Sequence, residues 1–436
     1  MSKLRAYVGA RIINGDKNVP VIENGVVLVN EEGVINAIGA KEEVRIPEGV
    51  ETMDLAGMYI MPGLINAHTH LFLDGRPQKD MTAARSSFIM RLLNTFIGRW
   101  LIYGLYKRNV RTFVNSGVTT LRDVGSFFNM DLKVRNAINA GKLDGPRVIS
   151  SGAIICPTGG HGSQFPGTLV ADGVAECLRA VRTNYHHGVD WIKICSTGGV
   201  TDAKFEGEAG LPHMSVEEIR AVCEDAHRRH LMVASHCEST AGMRDCLEAG
   251  VDTIEHGGVI EEDMVEMFLK NPRTLRGYTA LIPTLAAARG IWDHRDYLKP
   301  SKAHEIILKN CRLVMEGCVA GFQKALETGI KVGVGTDSSV PFVTPYNTYH
   351  ELLLFEQASS LTPLEIIHIA TKETAEIINM DYLTGTLDEG KAADFIVLEK
   401  SPLEDLHNLK QPAMVVAAGK LFDAPKYKEI EGVGEY

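Results

Sequence analysis

Hydrophobic and polar positions follow one pattern at the two ends of the chain and another in its middle. Near both ends, short segments that alternate apolar and polar residues are separated by Gly, Asn and Pro, as in VVLVNEEGVINAIG at 26–39 and LDEGKAADFIVLE at 387–399. This pattern is typical of antiparallel strands. Neither end has enough strands for a stable sheet of its own, so we expect residues 1–60 and 380–436 to form one composite β-sandwich domain.

The middle of the chain, residues 61–379, alternates apolar runs with helical periodicity, which is typical of parallel βα units. Helix starts are marked by a capping-box pattern at Ser215 and Glu218 and by Thr362 before Pro363. The apolar runs give eight candidate strands, at residues 64–70, 118–125, 147–155, 191–195, 232–236, 253–256, 278–285 and 332–337. Eight such units predict an α/β chain with a (β/α)8 barrel of the TIM type, whose chemistry lies at the carboxyl ends of its strands.

Length, charge and cysteine content narrow the class of protein. A chain of 436 residues can bury a large core, and its net charge of -10 argues against a nucleic-acid or anionic-membrane partner because no basic patch stands out. The amino-terminal MSKLRAYVGARIING lacks the apolar core of a signal peptide, and no run of about 18 apolar residues spans a bilayer. We therefore expect a cytoplasmic protein. The sequence leaves open whether it forms a homo-oligomer. The eight cysteines form no C-x-x-C pair, so we expect reduced thiols without disulfides.

Two histidines, His68 and His70, end the first candidate strand in GLINAHTHLFLDG. Side chains two residues apart on a strand point the same way, so both imidazoles should face one space. Such a pair alone is more often structural than functional. Other strands also end in polar side chains, and the full set is His68, His70, Lys193, His236, His256 and Asp337. Unpaired polar groups at buried positions are costly, whereas imidazole nitrogens with carboxylate oxygens suit Zn²⁺ or a similar divalent ion.

Lys193 is the exception in this set, because an ammonium group repels a metal ion. A neutral lysine amine can take up carbon dioxide and become a carbamate, whose two anionic oxygens can bridge two cations. The alternative is a salt-bridged lysine or one whose amine reaches solvent along the protein surface. Chemistry alone favours that alternative.

Several motifs together resemble the ordered landmarks of the amidohydrolase superfamily. These are NAHTH at 66–70, DWIKICSTGG at 190–199, SHCES at 235–239, TIEHGG at 253–258 and VGTDS at 334–338. Within that superfamily, GPRVISSGAIICPTGGHG and the LDEGKAADFIVLE ending are most similar to the imidazolonepropionase-related branch, which includes Xaa-Pro dipeptidase-like and carboxypeptidase-like members. The resemblance implies a metal-bearing βα barrel with a terminal β sandwich.

The same resemblance implies two divalent metal ions, for which we expect zinc. The first would lie on His68 and His70 together with Asp337, and the second on His236 and His256. A carboxylated Lys193 and a hydroxide would bridge the two ions. Asp337 would take the proton of the attacking water and deliver it to the leaving nitrogen.

The function implied is hydrolysis of a small amide or dipeptide substrate at its C–N bond, with N-acyl amino acids, cyclic amides and amidines as further candidates. A mononuclear deaminase on the same barrel is an alternative, because it would use a glutamate such as Glu238 after the fifth strand. Lys193 argues against it, since that site needs no bridging lysine. A non-catalytic scaffold ranks last, because it would be expected to have lost ligands.

Five further positions are weaker candidates. His161, on the loop TGGHG, is expected to contact substrate or polarise its carbonyl, although a histidine without function fits equally well. Glu238 replaces the tyrosine of an H-x-Y pattern in related dipeptidases, so it should repel an anionic substrate end and favour a cation or hydrogen-bond donor; the alternative is an exposed acid on the following helix. Tyr278 is a candidate pocket residue. Arg122 and Asp123 are expected to form an ion pair at the rim.

Overall fold

The computed structural model describes residues 4–77, 92–297 and 300–433. Strands from both ends of the chain form one eight-stranded sheet. Its strands are Arg5–Ile12 (β1), Ile22–Val29 (β2), Ile35–Ala40 (β3), Glu51–Asp54 (β4), Tyr59–Pro62 (β5), Phe395–Leu398 (β15), Met414–Ala417 (β16) and Lys420–Asp423 (β17). They lie in the order β17-β16-β15-β5-β1-β2-β3, with β4 also paired to β1. The antiparallel pairing of β5 with β15 joins the two ends. Tyr7 and Phe395 pack edge to face in its core, with ring centroids 4.9 Å apart.

The middle of the chain forms two parallel sheets. Their strands are Leu64–Thr69 (β6), Val118–Asp123 (β7), Arg147–Ser150 (β8), Ile155–Cys156 (β9), Leu169–Val170 (β10), Trp191–Cys195 (β11), Met232–Cys237 (β12), Thr253–His256 (β13) and Ala280–Ile282 (β14). One sheet has the order β6-β7-β8 and the other the order β10-β9-β11-β12-β13-β14. Since every pairing within these sheets is parallel, their carboxyl ends share one edge.

The eighth predicted strand, residues 332–337, is an extended segment held by isolated bridges instead of a regular ladder. On one side, Leu281 donates to the carbonyl oxygen of Lys331 at 2.9 Å, and on the other Ala67 donates to Val334 at 2.7 Å. Gly335 explains the tight passage, because a Cβ atom there would lie 2.5 Å from Ile282 and 2.6 Å from His68. The segment thus lies between β14 and β6.

Helices cover the parallel sheets. They are Phe96–Asn115, Met130–Asn139, Gly173–His187, Val216–His227, Thr240–Ala249, Glu262–Leu269, Leu285–Asp293, Lys302–Thr328, Thr348–Ala358, Pro363–His368 and Thr374–Ile377. The predicted capping box of Ser215 and Glu218 is present, as is one formed by Thr362 and Glu365. The predicted strand 278–285 is shorter than expected because Leu285 already begins a helix.

Short 3₁₀ turns occupy Phe127–Asn129, Val200–Asp202 and Leu406–Leu409, and a π turn spans Ile369–Glu373. All eight cysteines are buried free thiols, as expected from their spacing. Within the described ranges, no helix combines the length and the hydropathy needed to cross a membrane.

Candidate metal centre and active site

His68 and His70 turn their imidazoles to the same side at the end of β6. Their Nε2 atoms lie 3.4 and 3.2 Å from Oδ1 of Asp337. The backbone supports this approach, because the N–H of Asp337 donates to the carbonyl oxygen of His68 at 2.8 Å. Nδ1 of His70 donates to the carbonyl oxygen of Gly125 at 3.1 Å, which leaves a lone pair on Nε2. Two imidazole nitrogens and one carboxylate oxygen therefore converge on one buried point.

A fully buried ion pair orients His68. Its Nδ1 donates to Oε2 of Glu255 at 2.6 Å, and Nη2 of Arg122 donates to the other oxygen of that carboxylate at 2.8 Å. Arg122 also lies over the ring of Trp191, 4.4 Å from its centroid. Burial opposes ionisation of Glu255, but Arg122 and His68 outweigh it and hold its pKa well below the usual range. Glu255 thus keeps the Nδ1–H tautomer of His68 and directs Nε2 toward the group.

The predicted ion pair between Arg122 and Asp123 is wrong. Consecutive residues on a strand point to opposite faces, so the two side chains cannot meet. Asp123 instead accepts the backbone N–H of Gly125 at 3.1 Å, and burial raises the pKa of its carboxyl group. Sequence analysis did not identify Glu255 as the ion-pair partner of Arg122. The available signal was its position immediately before His256 on the same strand.

His236 and His256, on the neighbouring strands β12 and β13, form a second group with ring centroids 4.7 Å apart. Nε2 of His236 donates to the carbonyl oxygen of Gly198 at 3.1 Å, so its Nδ1 keeps a lone pair. Nδ1 of His256 lies 2.6 Å from the hydroxyl oxygen of Thr284, so its Nε2 is the nitrogen available to a ligand. The rings of His256 and His68 are 4.9 Å apart between centroids, which makes the two groups adjacent.

Thr284 precedes a helix whose first turn is held by a buried carboxylate that the sequence did not reveal. Glu351, on the helix Thr348–Ala358, accepts two backbone N–H groups at the start of the helix Leu285–Asp293, at 2.7 and 2.8 Å. Burial raises the pKa of Glu351 to about 8. Nothing in the local sequence distinguishes this glutamate from a solvent-facing one, because its partners come from a different helix.

Three residues of the site have left-handed backbone angles that non-glycine residues seldom adopt. The φ values are 72° at His256, 44° at Thr284 and 59° at Asp337. Such conformations cost on the order of 1–3 kcal/mol each and are found where the surrounding structure holds a functional group in place. At His256 the left-handed φ lets the imidazole face the cavity. Glu255, one residue earlier on the same strand, contacts His68.

Lys193 lies on β11 with 2% of the residue exposed, so its amine does not reach solvent. Among the described residues it forms no ion pair or hydrogen bond either. Neither structural alternative for this lysine is therefore supported. Burial lowers the pKa of the amine, while the negative charges of Glu255 and Asp337 act in the opposite direction. A neutral amine is the form that reacts with carbon dioxide.

The electrostatics of the histidines and the aspartate match metal binding. Burial lowers the pKa of His70 and lowers those of His236 and His256 well below the ordinary value. Burial opposes ionisation of Asp337, but His68 and His70 hold its pKa well below the usual range. Neutral imidazoles and an ionised carboxylate are the forms that coordinate a divalent cation.

Glu238 is not an exposed acid on the next helix: its side chain is only 8% exposed, and it lines the cavity. The strand β12 continues to Cys237, which keeps Glu238 at the rim before the helix Thr240–Ala249 begins. Its Oε2 lies 4.0 Å from Nε2 of His236 and has no hydrogen-bond partner among the described residues. Burial raises the pKa of Glu238 well above its ordinary value, and the charge of Asp337 adds to this.

Of the two weaker candidates His161 and Tyr278, the structure places only His161 at the cavity. The ring of His161 stacks on that of His236 at 4.2 Å, and its Nδ1 donates to Asp202 at 2.9 Å. Asp202, from the insertion after the fourth strand, was not identified from the sequence. Tyr278 is not among the residues that line the cavity; it packs against a buried apolar cluster that includes Trp191 and Ile377, with the ammonium of Lys331 5.7 Å from its ring centroid.

The convergent side chains form the floor of a cavity of about 420 Å³. Its walls are mainly apolar. On one side the rings of Phe72 and Phe127 stack at 4.2 Å, with Phe165 5.8 Å from each. On the other side lie residues of the helices Leu285–Asp293 and Lys302–Thr328. A cavity of this size and lining suits a small molecule with bulky apolar groups.

The donor set fits divalent ions. Ligand atoms of His68, His256 and Asp337 lie within 4.8 Å of one another, and so do those of His236, Glu238 and His256. His256 belongs to both sets, so two ions held there would be neighbours. Nitrogen and carboxylate oxygen donors are those that zinc and similar divalent cations accept.

Comparisons with known proteins agree on one family. A model of the amidohydrolase family matches residues 59–422. Ochratoxinase of Aspergillus niger is 28% identical over 393 residues, which cover 84% of this chain and 76% of that protein. The crystal structure of a proposed prolidase from Bifidobacterium longum is 36% identical, with a TM-score of 0.85 over 99% of this chain and 97% of that one. A Xaa-Pro dipeptidase crystallised with methionine in its active site is 26% identical, with a TM-score of 0.82 over 96% of this chain and all of that one.

Proposed function

This chain belongs to the amidohydrolase family, and on that premise we propose that it is a binuclear metal-dependent hydrolase of amide or peptide-like C–N bonds. One observation carries the proposal: four imidazoles, an ionised aspartate and a buried lysine, which has no ion-pair partner among the described residues, converge on one cavity floor. Two of the proteins named above bear peptidase names, prolidase and Xaa-Pro dipeptidase, and that substrate class supports the proposal. A small amide or dipeptide is the substrate that we propose.

We propose that the parallel strands close into a (β/α)8 barrel spanning residues 61–379. Hydrogen bonds support closure at both gaps: Asp190 donates to the carbonyl oxygen of Ser150 at 2.8 Å, and the segment 331–334 bonds to both Leu281 and Ala67. The strands of residues 1–60 and 380–436 would form the second, β-sandwich domain. In this arrangement all the proposed ligands lie on the carboxyl rim, as barrel enzymes require.

His68, His70 and Asp337 would hold one zinc ion, and His236 and His256 the other, with a carboxylated Lys193 between them. When bound, a pair of such ions lowers the pKa of water and polarises a carbonyl group. Burial lowers the pKa of the Lys193 amine, which favours the neutral form that carboxylation requires.

The chain's own residues would supply the proton transfers and the orientation. Asp337 is ionised, buried and 3.2 Å from His70, so its carboxylate can accept the proton of the attacking water and pass it to the leaving nitrogen. His161 is oriented by Asp202 and stacks on His236, which places its Nε2 at the side of the cavity where a substrate carbonyl would lie. The apolar walls exclude water and hold the flanking groups of the substrate.

The test is turnover by the zinc-loaded protein on a panel of dipeptides and N-acyl amino acids, with amine and ammonia measured separately. We expect release of an amine, and loss of that release in an Asp337→Asn variant of unchanged fold. Release of ammonia from aminated heterocycles instead would support the mononuclear deaminase, which the buried Glu238 keeps as the second candidate. No turnover of any amide by protein carrying two ions per chain would contradict the proposal.

A further inference from the structure

Glu238 is a buried acid with an unsatisfied oxygen at the edge of the cavity floor. Its side chain is 8% exposed, and Oε2 has no hydrogen-bond partner among the described residues. The nearest polar ring atom, Nε2 of His236, lies 4.0 Å away and already donates to the carbonyl oxygen of Gly198. A buried carboxylate oxygen without a partner is costly, so a group that binds here gains by supplying a donor.

Two contacts fix the place of Glu238 at the cavity edge, and neither gives Oε2 a hydrogen-bond donor among the described residues. The backbone N–H of Glu238 donates to the hydroxyl of Thr197 at 3.2 Å, which ties the residue to the loop after β11. The backbone of Val200, from the same loop, faces the carboxylate. Glu238 therefore lies beside this loop, at the edge of the cavity that it lines.

The charges that line the cavity favour a cation at this place. Among the lining residues that the structure describes, the only lysine is Lys193, and no arginine is present. The lining acids are Glu238 and Asp337. An ammonium group beside Oε2 would supply both the missing N–H donor and the positive charge that a buried carboxylate needs, whereas a substrate carboxylate would supply neither.

The position of Glu238 relative to the histidines limits which ammonium group it can hold. In an aminoacyl amide the α-ammonium nitrogen is two bonds from the scissile carbonyl carbon. A carbonyl held near His236 and His256 therefore brings that nitrogen close to Glu238. An amine farther along a longer acyl chain would extend into the apolar walls instead, where the charge would be desolvated without a partner.

We infer that Glu238 selects substrates whose acyl part carries a free α-ammonium group, so that aminoacyl amides and dipeptides are bound in preference to N-acylated amino acids and simple acyl amides. This inference rests on the proposed amide hydrolase function. The side chain of the aminoacyl group would pack against the face of the helix Lys302–Thr328 that carries Val314, Met315 and Cys318, all of which line the same cavity.

Binding and turnover of matched probe pairs test the inference with the zinc-loaded protein. L-leucinol and 4-methylpentan-1-ol differ by the amino group and cannot be hydrolysed, so calorimetry measures recognition alone. L-leucyl p-nitroanilide and 4-methylpentanoyl p-nitroanilide form the corresponding chromogenic pair. The variant is Glu238→Gln, and the control is Glu224→Gln, an exposed glutamate of the helix Val216–His227.

We expect the wild type to bind leucinol about tenfold to hundredfold more tightly than the alcohol without the amine, as one charge-assisted hydrogen bond implies. Glu238→Gln should remove this preference, leave the binding of 4-methylpentan-1-ol unchanged, and lower kcat/KM only for the leucyl anilide. Glu224→Gln should behave as the wild type. Zinc content per chain is measured on each variant.

Three results would overturn the inference: no preference for the amine in the wild type, an equal loss on both anilides in Glu238→Gln, or loss of zinc in that variant. An equal loss would make Glu238 a proton carrier, and loss of zinc would make it a ligand. Failure of the proposed function is distinguishable, because then neither anilide is cleaved while the calorimetric preference and its loss in Glu238→Gln are still observed.

Discussion

Replacing Arg122 with methionine removes one partner of the most deeply buried ion pair of the site. Arg122 and Glu255 have fully buried side chains, with Nη2 of the arginine 2.8 Å from Oε1 of the glutamate. Arg122 also donates to the carbonyl oxygen of Ala67 at 2.5 Å and to the hydroxyl of Thr253 at 3.1 Å. The Arg122→Met variant fills similar space but leaves Glu255 charged and buried, with His68 and the hydroxyl of Thr253 as its remaining hydrogen-bond donors.

The expected cost follows from this geometry. Removing one member of a buried ion pair destabilises a protein by about 3–5 kcal/mol, chiefly because an uncompensated charge remains. The double variant Arg122→Met/Glu255→Gln has no such charge, so we expect it to be more stable than Arg122→Met alone. The orientation of His68 should suffer in both, because the charged acceptor at its Nδ1 is weakened or lost.

Urea unfolding of the metal-free proteins measures the free energy of unfolding by linear extrapolation. Arg179→Met is the matched control, because Arg179 pairs with Glu176 on the surface with 71% of its side chain exposed, and its loss should cost less than about 1 kcal/mol. The reasoning would be refuted if Arg122→Met lowered the free energy of unfolding no more than Arg179→Met does. It would also be refuted if adding Glu255→Gln to Arg122→Met lowered that free energy by as much again.

Three further predictions concern the neighbours of the site. Asp337→Asn keeps the shape of the side chain but removes the proton acceptor, so kcat/KM should fall by at least about 100-fold in steady-state assays, and near-normal turnover would contradict its role. Thr284→Val removes the oxygen 2.6 Å from Nδ1 of His256 and should weaken zinc binding about tenfold in chelator competition, whereas unchanged affinity would show that the contact is dispensable. Burial raises the pKa of Glu351 from 4.5 to about 8, so the folded state keeps a proton that the unfolded state loses, and stability to urea should fall as pH rises between those values. Glu351→Gln should flatten that slope, and an unchanged slope would exclude Glu351 as its source.

Continuous apolar runs predicted most of the parallel strands, because strands buried on both faces are apolar along their length and local sequence reveals this. The segment 332–337 departs from a regular strand because Gly335 must pass between Ile282 and His68, a restriction set by distant residues. The two capping boxes were predictable for the opposite reason, since each needs only residues three positions apart.

The residues at the strand ends were predictable from position, but their partners were not. Glu255 and Glu351 make their decisive contacts with Arg122 and with the helix Leu285–Asp293, which lie far away in the sequence. The burial of Glu238 depends on where β12 ends, and strand ends vary by a residue or two. Tyr278 was misplaced because it precedes the amino-terminal end of its strand, whereas the cavity lies at the carboxyl ends of the strands.

Elemental analysis of the purified protein, combined with a Lys193→Ala variant, tests the central claim most directly. The account predicts two divalent ions per chain in the wild type, because two adjacent ligand groups share one cavity floor. It predicts one ion or none in Lys193→Ala, with partial recovery when a short carboxylic acid is added to replace the carbamate. Two tightly held ions and full turnover in Lys193→Ala, or no divalent ion in the wild type after loading, would contradict it.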